Sequence, residues 1–474
     1  MIQQLRMIIA IVLCVGLVGC IPELRRYEPL RTLPSAFGDP RDSVSLASVS
    51  WREYFNDSVL TASIDSALVH NQERNVTAED VRITAAEALA RRGEVLPTAL
   101  VAAGVGAERA ARYTRDGATE EAIEIVPGRA NSVPLADFTI GAAMTWEVDI
   151  WRKLRNAADA AELRMLAAGE GLHLITTEVV ASVAETYYDL LALDEQLRVV
   201  DSTVVLLRTA LHVVELQKIS AKTTELAVQR FRAEVSSLLA RRHALVQRIV
   251  EGENRLNVLL GRAPQRVDRV SAGFRLWAPD TMRVGRPDML ALNRPDVRRA
   301  DLAMQAAALD VDVARASFYP SLHAVASGGL RSSDASLLMS TPESIALSAL
   351  ADLVLPIVNR SAIEAQYLAA GSRSNQAALV FEQVLVRAHN EVVTAASAVV
   401  NATAAYEDRK AQVAALLASI DVATNLFLSA RADYMEVLLT QRDALEARLE
   451  FVETRLLQMK ASVALYRALG GGWK

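Results

Sequence analysis

The chain contains no proline between Pro134 and Pro264 and none after Pro356, and these two gaps take up more than half of its 474 residues. Proline inside a helix removes a backbone hydrogen bond and clashes with the preceding turn, at a cost of about 3 kcal/mol. The gaps are therefore free to form very long helices, and folds that need frequent turns, such as doubly wound sheets, sandwiches and propellers, are disfavoured. In the first gap apolar residues fall on a 3-4 alternation, Leu190, Leu193, Leu197, Val200, Val204, Leu207, Leu211 and Val214, which is a coiled-coil seam. The second gap repeats it at Val392, Ala395, Val399, Ala402, Tyr406, Val413, Leu416, Ile420, Ala423 and Phe427, with Arg409 as the charged interruption. A return helix follows, with Leu438, Leu445, Val452, Met459 and Tyr466 at sevens and Leu449, Leu456 and Val463 between them. A helix from about Arg152 to Lys218 would reach about 100 Å at the ordinary rise per residue, longer than a compact globule.

The two halves match. Ile219-Ser220-Ala221-Lys222 parallels Leu428-Ser429-Ala430-Arg431 at a separation of 209 residues, Glu185 parallels Glu391 at 206, and Pro97 parallels Pro320 at 223. A repeat whose length difference is confined to one loop marks a duplicated unit, here helix, strand pair, very long helix, tight turn and return helix.

The strand pairs carry a second periodicity. Phe138, Ile140, Ala142, Met144, Trp146 and Val148 alternate with Thr139, Gly141, Ala143, Thr145, Glu147 and Asp149, giving an apolar and a polar side. The partner strand is expected within Leu100 to Ala111, and the second pair within Leu322 to Leu330 and Ile345 to Leu355, with Asp352 on the side away from Ile345, Leu347 and Leu353. Strands of about 9 to 11 residues with this alternation are the transmembrane β-barrel pattern. On the polar side Glu147, Asp149 and Asp352 become candidate pore-lining residues, because a carboxylate facing lipid is costly. Four strands cannot close a barrel and an open edge cannot sit in lipid, so two, three or four chains are needed, giving 8, 12 or 16 strands. The other reading is two soluble hairpins covering a helical bundle.

Near the start of the chain, Arg6 precedes an apolar stretch from Met7 to Val18, the length of an export signal and too short to span a bilayer. It ends in Leu17-Val18-Gly19-Cys20, which resembles the lipobox of bacterial lipoproteins and makes Cys20 the lipidation site. Ile21 follows it, where an Asp would commonly retain a lipoprotein in the inner membrane, so the resemblance favours the outer membrane. Pro22, Pro29, Pro34 and Pro40 give the next segment the character of an extended tether.

Catalysis, cofactors and metals find no support. The histidines at 70, 173, 212, 243, 323 and 389 never take the spacings used for metals, and the other cysteine, Cys14, lies inside the signal. Gly104-Val105-Gly106 lacks the third glycine of a dinucleotide loop, and there is no G-x-S-x-G elbow. A net charge of −5 with scattered basic residues argues against nucleic acid as a partner.

Leu465-Tyr466-Arg467-Ala468-Leu469-Gly470-Gly471-Gly472-Trp473 resembles the ending of TolC-like outer-membrane factors of the lipoprotein subfamily. The family pattern recurs at Arg294 to Val297, Phe318 to Ser321, Leu256 to Pro264 and Ala430 to Gln441. The resemblance implies an α+β membrane channel, internally duplicated, in which a homotrimer forms a 12-stranded outer-membrane barrel and a coiled-coil helical tunnel. It implies an exit channel of a tripartite efflux system, partnered by a periplasmic adaptor and an inner-membrane pump, most commonly of the RND type. The expected organisation is a signal peptide at 1–19, a lipid-anchored tether at 20–57, a first repeat at 58–263 (β-hairpin about 99–149, helical hairpin 152–260), an equatorial linker at 264–292, and a second repeat at 293–474 (β-hairpin about 321–356, helical hairpin 359–469).

The helical-hairpin turns are candidate adaptor contacts through Lys222, Thr223, Thr224, Arg431 and Tyr434, and Asp433 is a candidate member of an acidic ring at the periplasmic gate. Both turns lack the glycine common in the family, which leaves their geometry open. The rival reading is a periplasmic adaptor lipoprotein, which would show one long hairpin flanked by soluble β domains.

Overall fold

The computed structural model describes residues 21–25, 27, 46–269, 284–356, 358–429 and 431–474. The expected signal peptide, Cys20, most of the tether and much of the linker lie outside these residues. Helix α1 (Ser58–His70) begins at Asp57, whose Oδ1 accepts from the amides of Val59 and Leu60. Helix α2 (Gln72–Glu94) follows, then strand β1 (Thr98–Glu108), a short helix α3 (Arg115–Ala122) within the acidic loop, and strand β2 (Leu135–Val148). The long helix α4 (Lys153–Ile219) turns back into α5 (Glu225–Leu259). The second half repeats this order as α6 (Pro295–Ala316), β3 (Ser321–Ser332), β4 (Ile345–Val354), α7 (Ser361–Leu428) and α8 (Tyr434–Ala468).

The described residues form two compact units, and each draws on both halves. One includes Ile83–Met165 and Ala303–Ala378 and holds the sheet; the other includes Leu379–Lys474 and most of the chain between Leu166 and Leu302.

The sheet is antiparallel in the order β1-β2-β3-β4. Its central pairing, β2 with β3, joins the two halves: Gly141 lies opposite Gly329, and a Cβ on Gly141 would stand 2.7 Å from the Gly328 carbonyl oxygen. Only glycine allows the two backbones to approach so closely. Among the described residues, β1 and β4 are each paired on one side only.

In the helical unit the expected seam of α4 is a core. Leu190, Val200, Val204, Leu207 and Val214 are buried, and from Val199 onward they pack with Phe231 and Leu238 of α5 and Leu438, Leu445 and Leu449 of α8. A second cluster gathers Leu60 and Ile64 of α1, Tyr187 and Leu191 of α4, Leu256 of α5, Val392 of α7, and Met459 and Val463 of α8. Along α7 the seam is buried at Val392, Ala395 and Val399, but Ala402, Tyr406, Val413, Leu416, Ile420, Ala423 and Phe427 are only half-covered within one chain. That helix also contains an 18-residue window of mean hydropathy 1.5 that is not buried.

Candidate functional site

Register assigns every strand residue to one face of the sheet. On the first lie Val101, Ala103 and Val105 of β1, Ile140, Ala142 and Met144 of β2, Ala324, Ala326 and Leu330 of β3, and Ile345, Leu347 and Leu353 of β4. Val101 is 82% exposed and Leu347 80%, so this contiguous apolar surface has no cover among the described residues. A patch of that kind marks a contact with lipid or with another protein. Ten residues tilted by about 40° span about 25 Å, the height of the apolar band of a membrane barrel. Indole and phenol groups collect at one end of the sheet. Trp146 Nε1 donates to the Val95 carbonyl at 3.1 Å, Trp151 Nε1 donates to the Pro320 carbonyl at 2.8 Å, and Trp151 stacks on Tyr319 at 4.7 Å. Amphipathic aromatic rings suit a membrane–water boundary.

The opposite face carries Thr139, Thr145, Ser327 and Ser348, with Leu100, Val325 and Leu350 among them. At one end Glu147 lies opposite His323, and His323 opposite Asp352, so the three form a row across β2, β3 and β4. Glu147 also pairs with Lys153 at 2.5 Å. At the other end the Arg331 guanidinium grips Asp137, Nε to Oδ1 at 2.9 Å and Nη2 to Oδ2 at 2.8 Å. Asp137, His323 and Arg331 were legible by parity, since each continues the polar alternation past or beside the strand segment expected from sequence.

Asp149 corrects one expectation, because it does not stand on the polar face of the strand. Strand β2 ends at Val148, and the Asp149 side chain, 2% exposed, turns inward so that its carboxylate oxygens accept from the amides of Leu154 at 3.0 Å and Arg155 at 2.9 Å. Those amides belong to the first turn of α4, whose donors have no partner inside the helix. Extrapolating the strand alternation by one residue mistook a helix cap for a wall residue.

The turn between α4 and α5 closes without glycine. Ala221 has a φ of 56°, its amide donates to the Lys218 carbonyl, and the Lys222 amide reaches back to the Gln217 carbonyl, each at 2.9 Å. This is a Schellman cap with alanine in the left-handed position. In the second turn Arg431 repeats the long bond, its amide reaching the Leu426 carbonyl at 2.8 Å. Lys222, Thr224, Arg431 and Asp433 are exposed and Thr223 half-exposed. Thr224 and Asp433 stand at equivalent helix starts, and Asp433 Oδ1 accepts from the Tyr434 amide at 2.6 Å. Tyr434, a candidate adaptor contact, is half-buried against the α4/α5/α8 core.

The ends of α5 and α8 form a matched pair of built sites. Gly261 and Gly470 both have positive φ, and at each a Cβ would run into the carbonyl of a residue just before a helix, His70 before α2 and Asn293 before α6. The Arg294 guanidinium is buried, donating to the Ala468 carbonyl at 2.9 Å, to Asp296 on both carboxylate oxygens and to Glu391 at 2.8 Å. Burial opposes its charge, but the two carboxylates outweigh burial and raise its pKa. Two aromatic residues of the C-terminal string are also engaged: Tyr466 stacks on Tyr54 at 4.2 Å and donates to the Val49 carbonyl, while Trp473 stacks on His173 at 4.4 Å and donates to the Asn293 carbonyl.

A duplicated chain whose sheet has one lipid-compatible face and one polar face, joined to two long helical hairpins, defines a channel-forming outer-membrane protein. The chain belongs to the outer membrane efflux protein family, whose model matches residues 63–262 and 287–471. It is 23% identical over 467 residues to the cation efflux system protein CusC of Escherichia coli O6:H1, covering 97% of each chain. It is 25% identical to the pyoverdine export outer membrane protein OpmQ of Pseudomonas putida, over 96% of this chain and 93% of that relative. Its fold matches the open-state MtrE outer membrane channel of Neisseria gonorrhoeae with a TM-score of 0.82 at 20% identity, over 96% of this chain and 98% of that one. The protein is thus a TolC-type outer-membrane efflux channel of a tripartite system. Two hairpins and two strand pairs leave the single-hairpin adaptor reading without support.

Proposed function

We propose that three copies of the chain assemble into one conduit, each supplying four strands to a 12-stranded barrel, with β1 of one copy pairing β4 of the next. The observation that carries this reading is the pair of one-sided edge strands on a sheet with a lipid-compatible face, since unpaired backbone groups cannot remain in hydrocarbon. In the half-covered seam of α7, Ala402, Leu416, Ile420, Ala423 and Phe427 supply further surface for neighbouring copies. Glu147 and Asp352, joined by His323, Asp137 and Arg331, line the barrel interior in this reading, and Cys20 carries the lipid anchor.

At the periplasmic end Lys222, Thr223, Thr224 and Arg431 contact the adaptor, with Tyr434 as their internal support, and an inner-membrane pump of the RND type supplies energy. Asp433 forms a threefold acidic ring that biases opening through repulsion and ion binding. The test is single-channel recording of the purified protein in planar bilayers together with the mass of the detergent-extracted particle. Conductance steps and a three-chain mass are expected; a monomeric particle without conductance would refute the reading. For the gate, Asp433→Ala should change conductance and its cation sensitivity, and unchanged recordings would remove Asp433 from that role.

A further inference from the structure

Within the helical unit, α4, α7 and α8 line a half-open cavity of about 310 Å3 whose wall includes Arg198, Arg448, Arg455, Glu195, Tyr406 and Phe451. Three guanidinium groups share it with one carboxylate. Glu195 accepts from Arg198 on both oxygens at 2.8 and 2.5 Å. Glu450, which is not part of that wall, pairs with Arg409 at 2.6 Å. Arg448 donates to Ser202 Oγ at 3.4 Å and, among the described residues, has no carboxylate within ion-pair distance. Arg455 is buried, donates to Gln458 Oε1 at 2.6 Å and lies over the Tyr406 ring at 4.9 Å. Tyr406 and Phe451, 5.0 Å apart, provide an aromatic wall beside the charges. Burial, and then the nearby Arg198, lower the pKa of Arg448 in spite of Glu195, so this cation sits where an added anion would relieve it.

We propose that this cavity is a binding site for a small amphipathic anion, a carboxylate carried on an aromatic body, with Arg448 as the principal partner of the carboxylate and Tyr406 and Phe451 as the seat of the ring. The volume falls in the range of small-molecule sites, and a planar guanidinium fork matches a carboxylate in two parallel bonds. This goes beyond the conduit reading, because conduction needs no saturable site.

The experiment is equilibrium dialysis of the purified full-length protein in detergent with 2-naphthoate and with its neutral counterpart 2-naphthalenemethanol. Saturable binding of naphthoate is expected, with the alcohol at least about tenfold weaker, as for a charge-assisted contact. Arg448→Gln should weaken naphthoate by about tenfold and leave the alcohol unchanged, Arg448→Lys should recover part of the loss, and Arg442→Gln, an exposed change on the same helix, should have no effect. Equal binding of the two probes, an absence of saturation, or equal weakening by Arg442→Gln would overturn the proposal. So would an Arg448→Gln protein that loses its oligomeric state while binding naphthoate as before, since a neighbouring copy's carboxylate would then be the natural occupant.

Discussion

Asn71 and Arg294 perform the same task in the two halves of the chain. Asn71 Nδ2 donates to the Leu259 carbonyl at 3.0 Å, and Arg294 Nη1 donates to the Ala468 carbonyl at 2.9 Å, so each buried side chain closes the last turn of a return helix. Leu259 and Ala468 are 209 residues apart, the same separation that relates the two helical-hairpin turns. In the second half the duty has passed to a residue that also recruits Asp296 and Glu391.

Arg294→Gln removes charge-assisted bonds to the half-buried Asp296 and the exposed Glu391 and should cost about 3 kcal/mol, less than removing one member of a fully buried pair. Asn71→Ala removes a neutral hydrogen bond and should cost about 1–3 kcal/mol. Chemical denaturation followed by circular dichroism checks the order; equal losses would contradict the ion-pair account.

Gly470→Ala places a methyl group in a positive-φ position against the Asn293 carbonyl and should destabilise by more than about 1 kcal/mol. Gly169→Ala, inside α4 with nothing within 4 Å, should instead stabilise by about 0.5–1 kcal/mol. Opposite shifts in thermal midpoint are the expected result.

The face assignment of the sheet predicts an asymmetry between neighbouring strand positions. Val101→Arg puts a cation on the lipid-compatible face and should cost about 2–4 kcal/mol near mid-membrane, seen as loss of membrane-inserted oligomer. Thr145→Arg, on the polar face, should insert normally and shift ion selectivity toward anions. Removing the Arg331 charge with Arg331→Gln should move selectivity the other way, measured as the reversal potential under a salt gradient.

At the first turn, Ala221→Gly should relieve about 1 kcal/mol of left-handed strain and slow local amide exchange. Exchange there should also depend on pH. Hydrogen bonds from Lys218, and then from Gln229, hold the Glu225 carboxyl below its ordinary range. A carboxylate depressed in the folded state contributes stability above its unfolded pKa, and that contribution disappears as pH falls through the folded value. Lower protection around Glu225, relative to the intrinsic exchange rate at each pH, is expected below about pH 4, and Lys218→Met should remove most of this dependence.

The long helices, their seams and the four strands could be read from the sequence because each is periodic: proline gaps, 3-4 spacing and strict alternation are properties of neighbouring residues. The polar face was legible for the same reason at Glu147 and Asp352, and parity extends it to Asp137 and Arg331. Asp149 broke the rule because helix α4 recruited it as a cap, a choice made where strand and helix meet.

By itself, then, the sequence determined which segments are helix or strand, which side of each is apolar, and that the chain is a duplicated unit. Tertiary structure alone decided that β2 pairs with β3 so that the two halves share one sheet, and that Ala221 adopts a left-handed turn without glycine. It alone brought Arg294 to Glu391 and Arg448 to Arg198. Those outcomes depend on contacts between residues far apart in the chain, where side-chain reach, burial and charge act together and no local repeat carries the information.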